Sequence, residues 1–306
     1  MGYLLLLAST FAIYSAAGLC VGVFQIKTSS FCIVAGACFA IGGYTTGVLL
    51  TNSISEALGI ITLTVIISGL LGAIIAILTA FHDNRVLDIV GLSLLLVGGA
   101  IVRNWYDPAF DAGTLKSLTN GSFGLSGFPE ITLFGFSLPR GRIDGLVIST
   151  IAFVYCILIV QFFQKSLWGI SLDAIRDNRL QAALDGHRIT QRHIGMGIIL
   201  GSGLGVCGAA YCITYRYIDP SIWSIESAIG ICLVPLLWPF GGIRTRAVVG
   251  AIAFVSIPEL LREVNIASPY ETYLRNIIFL TAALTASMLK RPSIISTYKS
   301  VSTERN

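Results

Sequence analysis

Charge is what this chain has least of: Asp, Glu, Lys and Arg make up only 12% of its 306 residues, while 55% are apolar. An ordinary soluble domain carries about twice that share of charge, so a soluble enzyme of this size is excluded in favour of an integral membrane protein. The small basic excess, +4, is scattered between apolar runs and forms no basic face for nucleic acid. No Gly-x-x-x-x-Gly-Lys-(Ser/Thr) loop is present, so the chain has no phosphate cradle with which to hydrolyse ATP itself. Gly-x-Ser-x-Gly and His-Glu-x-x-His are also missing, and the three histidines, His82, His187 and His193, stand isolated near the ends of apolar runs. Enzymatic catalysis and a metal centre therefore have no foothold, and no cofactor is expected on this chain. The seven cysteines contain no C-x-x-C pair and all fall inside apolar runs, which reads as packing rather than disulfide or metal chemistry. The centres of those runs hold essentially no acid, since Glu56, Asp88, Glu226 and Glu259 sit near their ends. A proton-coupled carrier needs an ionisable group near the midplane, so this argues against that class.

The apolar residues are gathered into nine runs: 3–24, 30–50, 56–81, 87–102, 145–163, 193–215, 226–240, 247–261 and 273–289. A crossing helix needs roughly 20 residues, and the pattern predicts an all-α, polytopic transmembrane helix bundle of about nine spans (seven to ten). The first run has no basic segment before it and exceeds a typical signal-peptide core, so it reads as a span. Runs 226–240 and 247–261 are short and contain Pro235, Pro239 and Pro258, which predicts kinks or a re-entrant pair. Thirteen Lys and Arg, including Lys27, Arg85 and the five of residues 165–192, fall in one alternating set of connections and seven in the other. The positive-inside rule then places the N-terminus outside and the C-terminus in the cytoplasm. The pattern predicts one membrane domain over 1–292 and a cytoplasmic tail over 293–306. Gly197, Gly201 and Gly205 recur every fourth residue, as do Ser68, Gly72 and Ala76. Small residues at that spacing predict close helix packing, with a glycine-lined solute path as the alternative.

Two connections are too long and too patterned to be simple turns. Residues 103–144, on the predicted outer side, are rich in Gly, Asn, Ser and Pro around Leu118–Pro129; this predicts an ordered, turn-rich loop that either meets a ligand or partner or caps the bundle. Residues 165–192, on the predicted cytoplasmic side, place Leu172, Ile175, Leu180 and Leu184 near helical spacing among Arg176, Asp177 and Arg179. That predicts a short amphipathic helix ending at a Gly186 C-cap, lying on the membrane surface or docking a partner.

At these two stretches the chain resembles the permease subunits of branched-chain amino acid ABC importers, specifically the second permease of that system. The cytoplasmic stretch is similar to the family's Gly-x-x-x-x-Ala-Ile-Arg-(Asp/Glu)-(Asn/Asp) motif at Gly169, Ala174, Ile175, Arg176, Asp177 and Asn178, followed by Ala182 and Gly186. The outer loop is similar to its Leu-Thr-x-Gly-x-x-Gly-Leu-x-Gly-x-Pro run at Leu118, Thr119, Gly121, Gly124, Leu125, Gly127 and Pro129. Asp219-Pro220, Ser224-Ile225-Glu226, Gly241-Gly242, Gly250-Ala251, Pro258–Arg262 and Arg291-Pro292 follow in the same order and spacing. The chain departs from the family's early Gly-rich run, reading Ile26–Val34 there, and carries Arg244 where the family has Gly.

The resemblance implies a multi-pass protein of the bacterial inner membrane that forms half of a translocation pathway by alternating access. It implies coupling through the 169–186 motif to two cytoplasmic ATPase subunits that carry ATP and Mg, a second, different permease chain, and an extracytoplasmic substrate-binding protein. Branched-chain amino acids or another small polar solute, such as urea or a short amide, are the expected cargo. Thr119, Gly121, Gly124 and Gly127 are candidates for the solute path or outer loop. Glu226 is the best single candidate for meeting a zwitterion's ammonium at the outer mouth, with a macrodipole role at a helix N-terminus as the alternative. A gradient-driven carrier working without an ATPase and a non-transporting structural subunit are the other readings.

Overall fold

Long apolar runs become helices because lipid offers no partner for backbone N–H and C=O groups, which the helix satisfies internally. The computed structural model describes residues 2–28, 30–79, 84–138, 143–238, 240–263, 277–279 and 281. Its long helices are α1 (Gly2–Thr28), α2 (Val34–Thr51), α3 (Ala57–Thr79), α4 (Asn84–Asn104), α5 (Ile143–Lys165), α8 (Ile189–Tyr215) and α10 (Ile243–Glu263). Shorter ones are α6 (Leu167–Asp177), α7 (Arg179–Leu184) and α9 (Ile225–Leu233). Six helices, α1 to α5 and α8, are long and apolar enough to cross a membrane, and they coincide with the first six runs of the sequence. The run at 226–240 is instead broken into α9 and a 3-10 turn, Val234–Leu236. The run at 247–261 lies in α10, which holds Pro258. The run at 273–289 and the tail 293–306 fall outside the described residues apart from 277–279 and 281.

Helix α8 is the hub. Of its most apolar window 83% is buried, against 22% for α4, so α8 is the central helix and α4 a peripheral one. It is flanked by α1, α2, α3 and α5. Small residues let it get there: a side-chain carbon on Gly201 would run into the Ser68 carbonyl oxygen, one on Gly72 into that of Gly197, and one on Gly208 into that of Phe39. The two predicted small-residue stripes are thus faces of one α3–α8 interface, where backbone approach supplies the packing that lipid cannot drive. All seven cysteines are free and buried, and Cys156 and Cys207 join α5 to α8 with 3.8 Å between sulfurs.

Two ends of the bundle follow. The last turns of α1, α3 and α5 and the first turns of α2, α4 and α8 share one end, which carries α6 and α7. The opposite end carries the α2–α3 turn and residues 105–138. Where the chain departs from the expected Gly-rich run, a carboxylate takes over: Asp88 of α4 accepts the backbone N–H groups of Phe31, Cys32 and Ile33 at 3.1, 2.8 and 3.2 Å, just before α2. Cys32 there has a φ of 71°. The orphan donors at the start of a helix need acceptors, and here they come from another helix.

Candidate functional site

The α6–α7 segment is fastened to the end of α1. Lys27, buried in the last turn of α1, donates to the Gly169 carbonyl at 2.9 Å and to Asp173 at 2.5 Å. Arg176 donates to the Ile26 carbonyl at 3.0 Å and, through Nε and Nη2, to Asp177. Two cations therefore sit at the C-terminus of α1, where the helix dipole and its unpaired carbonyls favour them. Ser166 caps α6 by accepting from the Gly169 N–H. Gly169 is buried, and a side chain on it would strike the Phe163 carbonyl. Leu172 and Ile175 bury against the bundle on the same side of α6.

The single amphipathic helix expected over this stretch is two helices. Asn178 adopts an extended conformation, φ −152° and ψ 99°, and its side chain accepts the Gln181 N–H at 3.1 Å, so it ends α6 and caps α7. An Asn with Gln three residues on is an N-terminal signal, and its local bond outcompetes helix continuation. The consequence is that the apolar stripe splits. Leu172 and Ile175 face inward, whereas Leu180 and Leu184 of α7 are 74% and 81% exposed. Helix α7 ends at Gly186, φ +84°, with the Gly186 and His187 N–H groups donating to the carbonyls of Ala183 and Ala182. This is the paired C-terminal closure that glycine favours. Ala182 is buried under α7, while Ala174, Arg176, Asp177, Asn178 and Gly186 are exposed. Near this end a cavity of about 30 Å³ opens between α1, α3, α4 and α8, lined by Phe24, Thr28, Ile75, Leu87, His193 and Met196 among others. It has room for a water or two and not for an amino acid.

At the opposite end the outer-loop motif is a clasp. Thr119 donates to the Val102 and Trp105 carbonyls at 2.6 and 3.2 Å, closing the end of α4. Asn120 and Gly121 have φ of 56°, Gly124 72° and Gly127 77°. Gly124 is pressed against the Ile218 carbonyl, with no room for a side chain. Strand β1 (Leu125–Ser126) then pairs antiparallel with β4 (Tyr217–Ile218), the segment leaving α8, and Leu125 is fully buried. A hairpin of β2 (Thr132–Leu133) and β3 (Phe136–Ser137) is tied to the start of α3, where Glu56 accepts from Thr132 and from the Phe134 N–H. Asp144 at the head of α5 pairs with Arg216 at the foot of α8. Thr119, Gly121 and Gly124 thus serve loop closure, and Gly127 sits in an open turn.

Glu226 is elsewhere. After α8 the chain turns back into the bundle through a 3-10 turn, Pro220–Trp223, whose indole lies on Gly98 and Gly99 of α4. Ala228 lies against Gly36, alongside Leu95, the central residue of the Val86–Asn104 span. Residues 223–228 are therefore level with the middle of α4, and the exposed Glu226, in the first turn of α9, is not at an outer mouth. Sequence reasoning missed this because residues 216–224 descend as a short strand and a 3-10 turn and not as an α-helix, and an apolar-run count takes Glu226 for the beginning of a crossing.

Neither the curated proteins nor the solved structures compared with this chain give a match. Residues 3–283 match the family described as branched-chain amino acid transport system, permease component, which is a family of multi-pass transport subunits and not of catalytic enzymes. With six apolar spans, a fastened segment at one end and a clasped loop at the other, this chain belongs to the family of branched-chain amino acid transport permeases.

Proposed function

We propose that the chain is one half of the translocation pathway of an ATP-binding cassette importer in the bacterial inner membrane, working by alternating access with a small polar solute as cargo. The observation that carries this reading is α7: Leu180 and Leu184 are exposed at the tip of a segment whose base is fastened to α1 through Lys27 and Arg176. Exposed leucines on a charged, short helix need a partner surface, and a fastened base lets force on that surface reach the bundle. Two cytoplasmic ATPase subunits, which would hold ATP and Mg, occupy that surface, and residues 169–186 couple them to the helices. Because this end is cytoplasmic in the proposal, the N-terminus and residues 105–138 are outside, where the clasped loop meets an extracytoplasmic binding protein. A second, different permease completes the pathway, and residues 1–292 act as one membrane domain with about nine crossings.

In the reconstituted complex, Arg176→Ala removes the bond to the Ile26 carbonyl, and Gly186→Val forces a branched residue into a left-handed conformation that costs it at least about 1–2 kcal/mol. Both variants should retain protein in the membrane while ATP hydrolysis and solute uptake become uncoupled. Unchanged coupled uptake in both would sink the role given to this segment.

A further inference from the structure

Helix α6 is apolar on two sides. Leu172 and Ile175 pack inward, while Leu167, Ile170 and Ala174 recur at i, i+3 and i+7 on an outer side, Leu167 exposed by 78% and Ile170 by 59%. This outer stripe continues a face that is already in the membrane. Val154, Leu158 and Phe162 of the α5 span are exposed at four-residue spacing, where lipid covers them, and the exposed Lys165 ends that face. Leu167 follows directly after the Ser166 cap. The depth fits as well. A side chain on Gly195 would strike the Trp168 ring, and Gly195 lies six residues inside α8, or about 9 Å at 1.5 Å per residue. The start of α6 is therefore alongside the bundle, at the 5–10 Å or so to which an interfacial helix sinks between headgroups and acyl chains.

Cations surround this position. Lys27 and Arg176 are neutralised by Asp173 and Asp177, whereas Lys165, Arg188 and Arg192 have neither an ion pair nor a side-chain hydrogen bond among the described residues. The Arg192 guanidinium lies 4.9 Å from the centroid of the Trp168 ring. Arg188 precedes it by one turn, its carbonyl accepting the Arg192 N–H at 3.1 Å, and the first turn of α8 holds no acid to compensate them. An exposed tryptophan beside Lys and Arg at the end of a span is the composition of a membrane–water boundary, and unpaired cations there attract anionic lipid.

We infer that the outer face of α6 lies in the membrane interface, with Leu167 and Ile170 among acyl chains and Lys165, Arg188 and Arg192 holding the phosphate of an anionic phospholipid beside Trp168. The break at Asn178 then divides the segment: α6 rests between the bundle and lipid, and α7 alone presents its leucines to another protein. This goes beyond the transport reading and needs the membrane spans, not the ATPase.

The test uses the transport complex reconstituted in nanodiscs. A fluorophore on Ile170→Cys reports contact with lipids brominated in their acyl chains, with Phe162→Cys as the lipid-facing reference and the exposed Ala183→Cys on α7 as the reference outside the bilayer; the seven native thiols are buried. Brominated phosphatidylcholine should quench the Ile170 probe to at least about half the extent seen at Phe162 and leave the Ala183 probe unquenched. Brominated phosphatidylglycerol should bind there at least about fivefold better than phosphatidylcholine, a preference abolished in the Lys165→Gln, Arg188→Gln, Arg192→Gln variant, since each cation near the surface adds to the attraction. Leu167→Cys takes the place of Ile170→Cys should the latter fail to accumulate. No quenching at Ile170 while Phe162 is quenched means that a protein chain covers this face, and overturns the inference; equal affinity for the two lipids overturns the headgroup site. If the complex proves to hold no ATPase and anionic lipid still quenches the Ile170 probe, the importer reading alone falls; if ATP-driven uptake holds with α6 unquenched, this inference alone falls.

Discussion

Replacing Lys27 by Met should loosen α6 from α1 while leaving the rest of the bundle intact. The ammonium is buried, 9% exposed, and makes two bonds, 2.9 Å to the Gly169 carbonyl and 2.5 Å to Asp173. A hydrogen bond from a charged donor is worth about 1.5–3 kcal/mol, and losing one partner of a fully buried pair costs about 3–5. Asp173 is 42% exposed and keeps Arg176 at 3.7 Å, so its carboxylate rehydrates and the loss falls to the lower end. Methionine retains the apolar stem, so packing contributes little. The total comes to about 2 kcal/mol, or about thirtyfold in a local opening equilibrium. Amide hydrogen exchange on the purified protein reads this directly: residues 169–177 should exchange about thirtyfold faster, in line with the smaller opening free energy. Asp173→Asn should give part of the effect, and the double variant less than the sum, because the two share one interaction. Unchanged exchange in α6, or an equal rise throughout α8, would refute the view that Lys27 fastens this segment.

Asp88→Ala strips three N–H groups of their acceptor at the head of α2; a lost cap costs about 0.5–2 kcal/mol, and with three donors affected the upper end or beyond is expected, seen as a lowered thermal midpoint in detergent, with Asp88→Asn intermediate. Midpoints equal to wild type would mean that other groups cap α2. Gly201→Leu drives a side chain into the Ser68 carbonyl and should separate α3 from α8, costing at least about 1–3 kcal/mol as overpacking does; a stable, fully folded Gly201→Leu protein would show that α3 and α8 do not pack backbone to backbone at this position.

Much of this architecture is legible in the sequence alone. Six spans follow from hydropathy because length and composition are local properties. The close packing follows from the four-residue spacing of Gly197, Gly201 and Gly205 and of Ser68, Gly72 and Ala76, but that the two stripes face each other, and do not line a solute path at this contact, is a finding of the structure. The left-handed end at Gly186 follows from glycine itself. What was not readable depends on partners far away in the chain. Lys27 and Asp173 are 146 positions apart, and Asp88 caps a helix 55 positions before it; no local pattern joins them. The break at Asn178 had a signal, Gln181 three residues later, masked by a continuous apolar period that turned out to serve two faces. Glu226 was misplaced because hydropathy measures where apolar residues begin, not how deep the chain has already travelled.

The central claim, that this permease works as one part of an ATP-driven importer engaged through α7, is tested most directly by purifying the tagged protein in mild detergent and identifying by mass the chains bound to it, beside a Leu180→Asp, Leu184→Asp variant. The account predicts a P-loop ATPase and a second permease with the unaltered protein, and loss of the ATPase but not the permease with the variant. Recovery of the chain alone, with gradient-driven flux in liposomes, would contradict it.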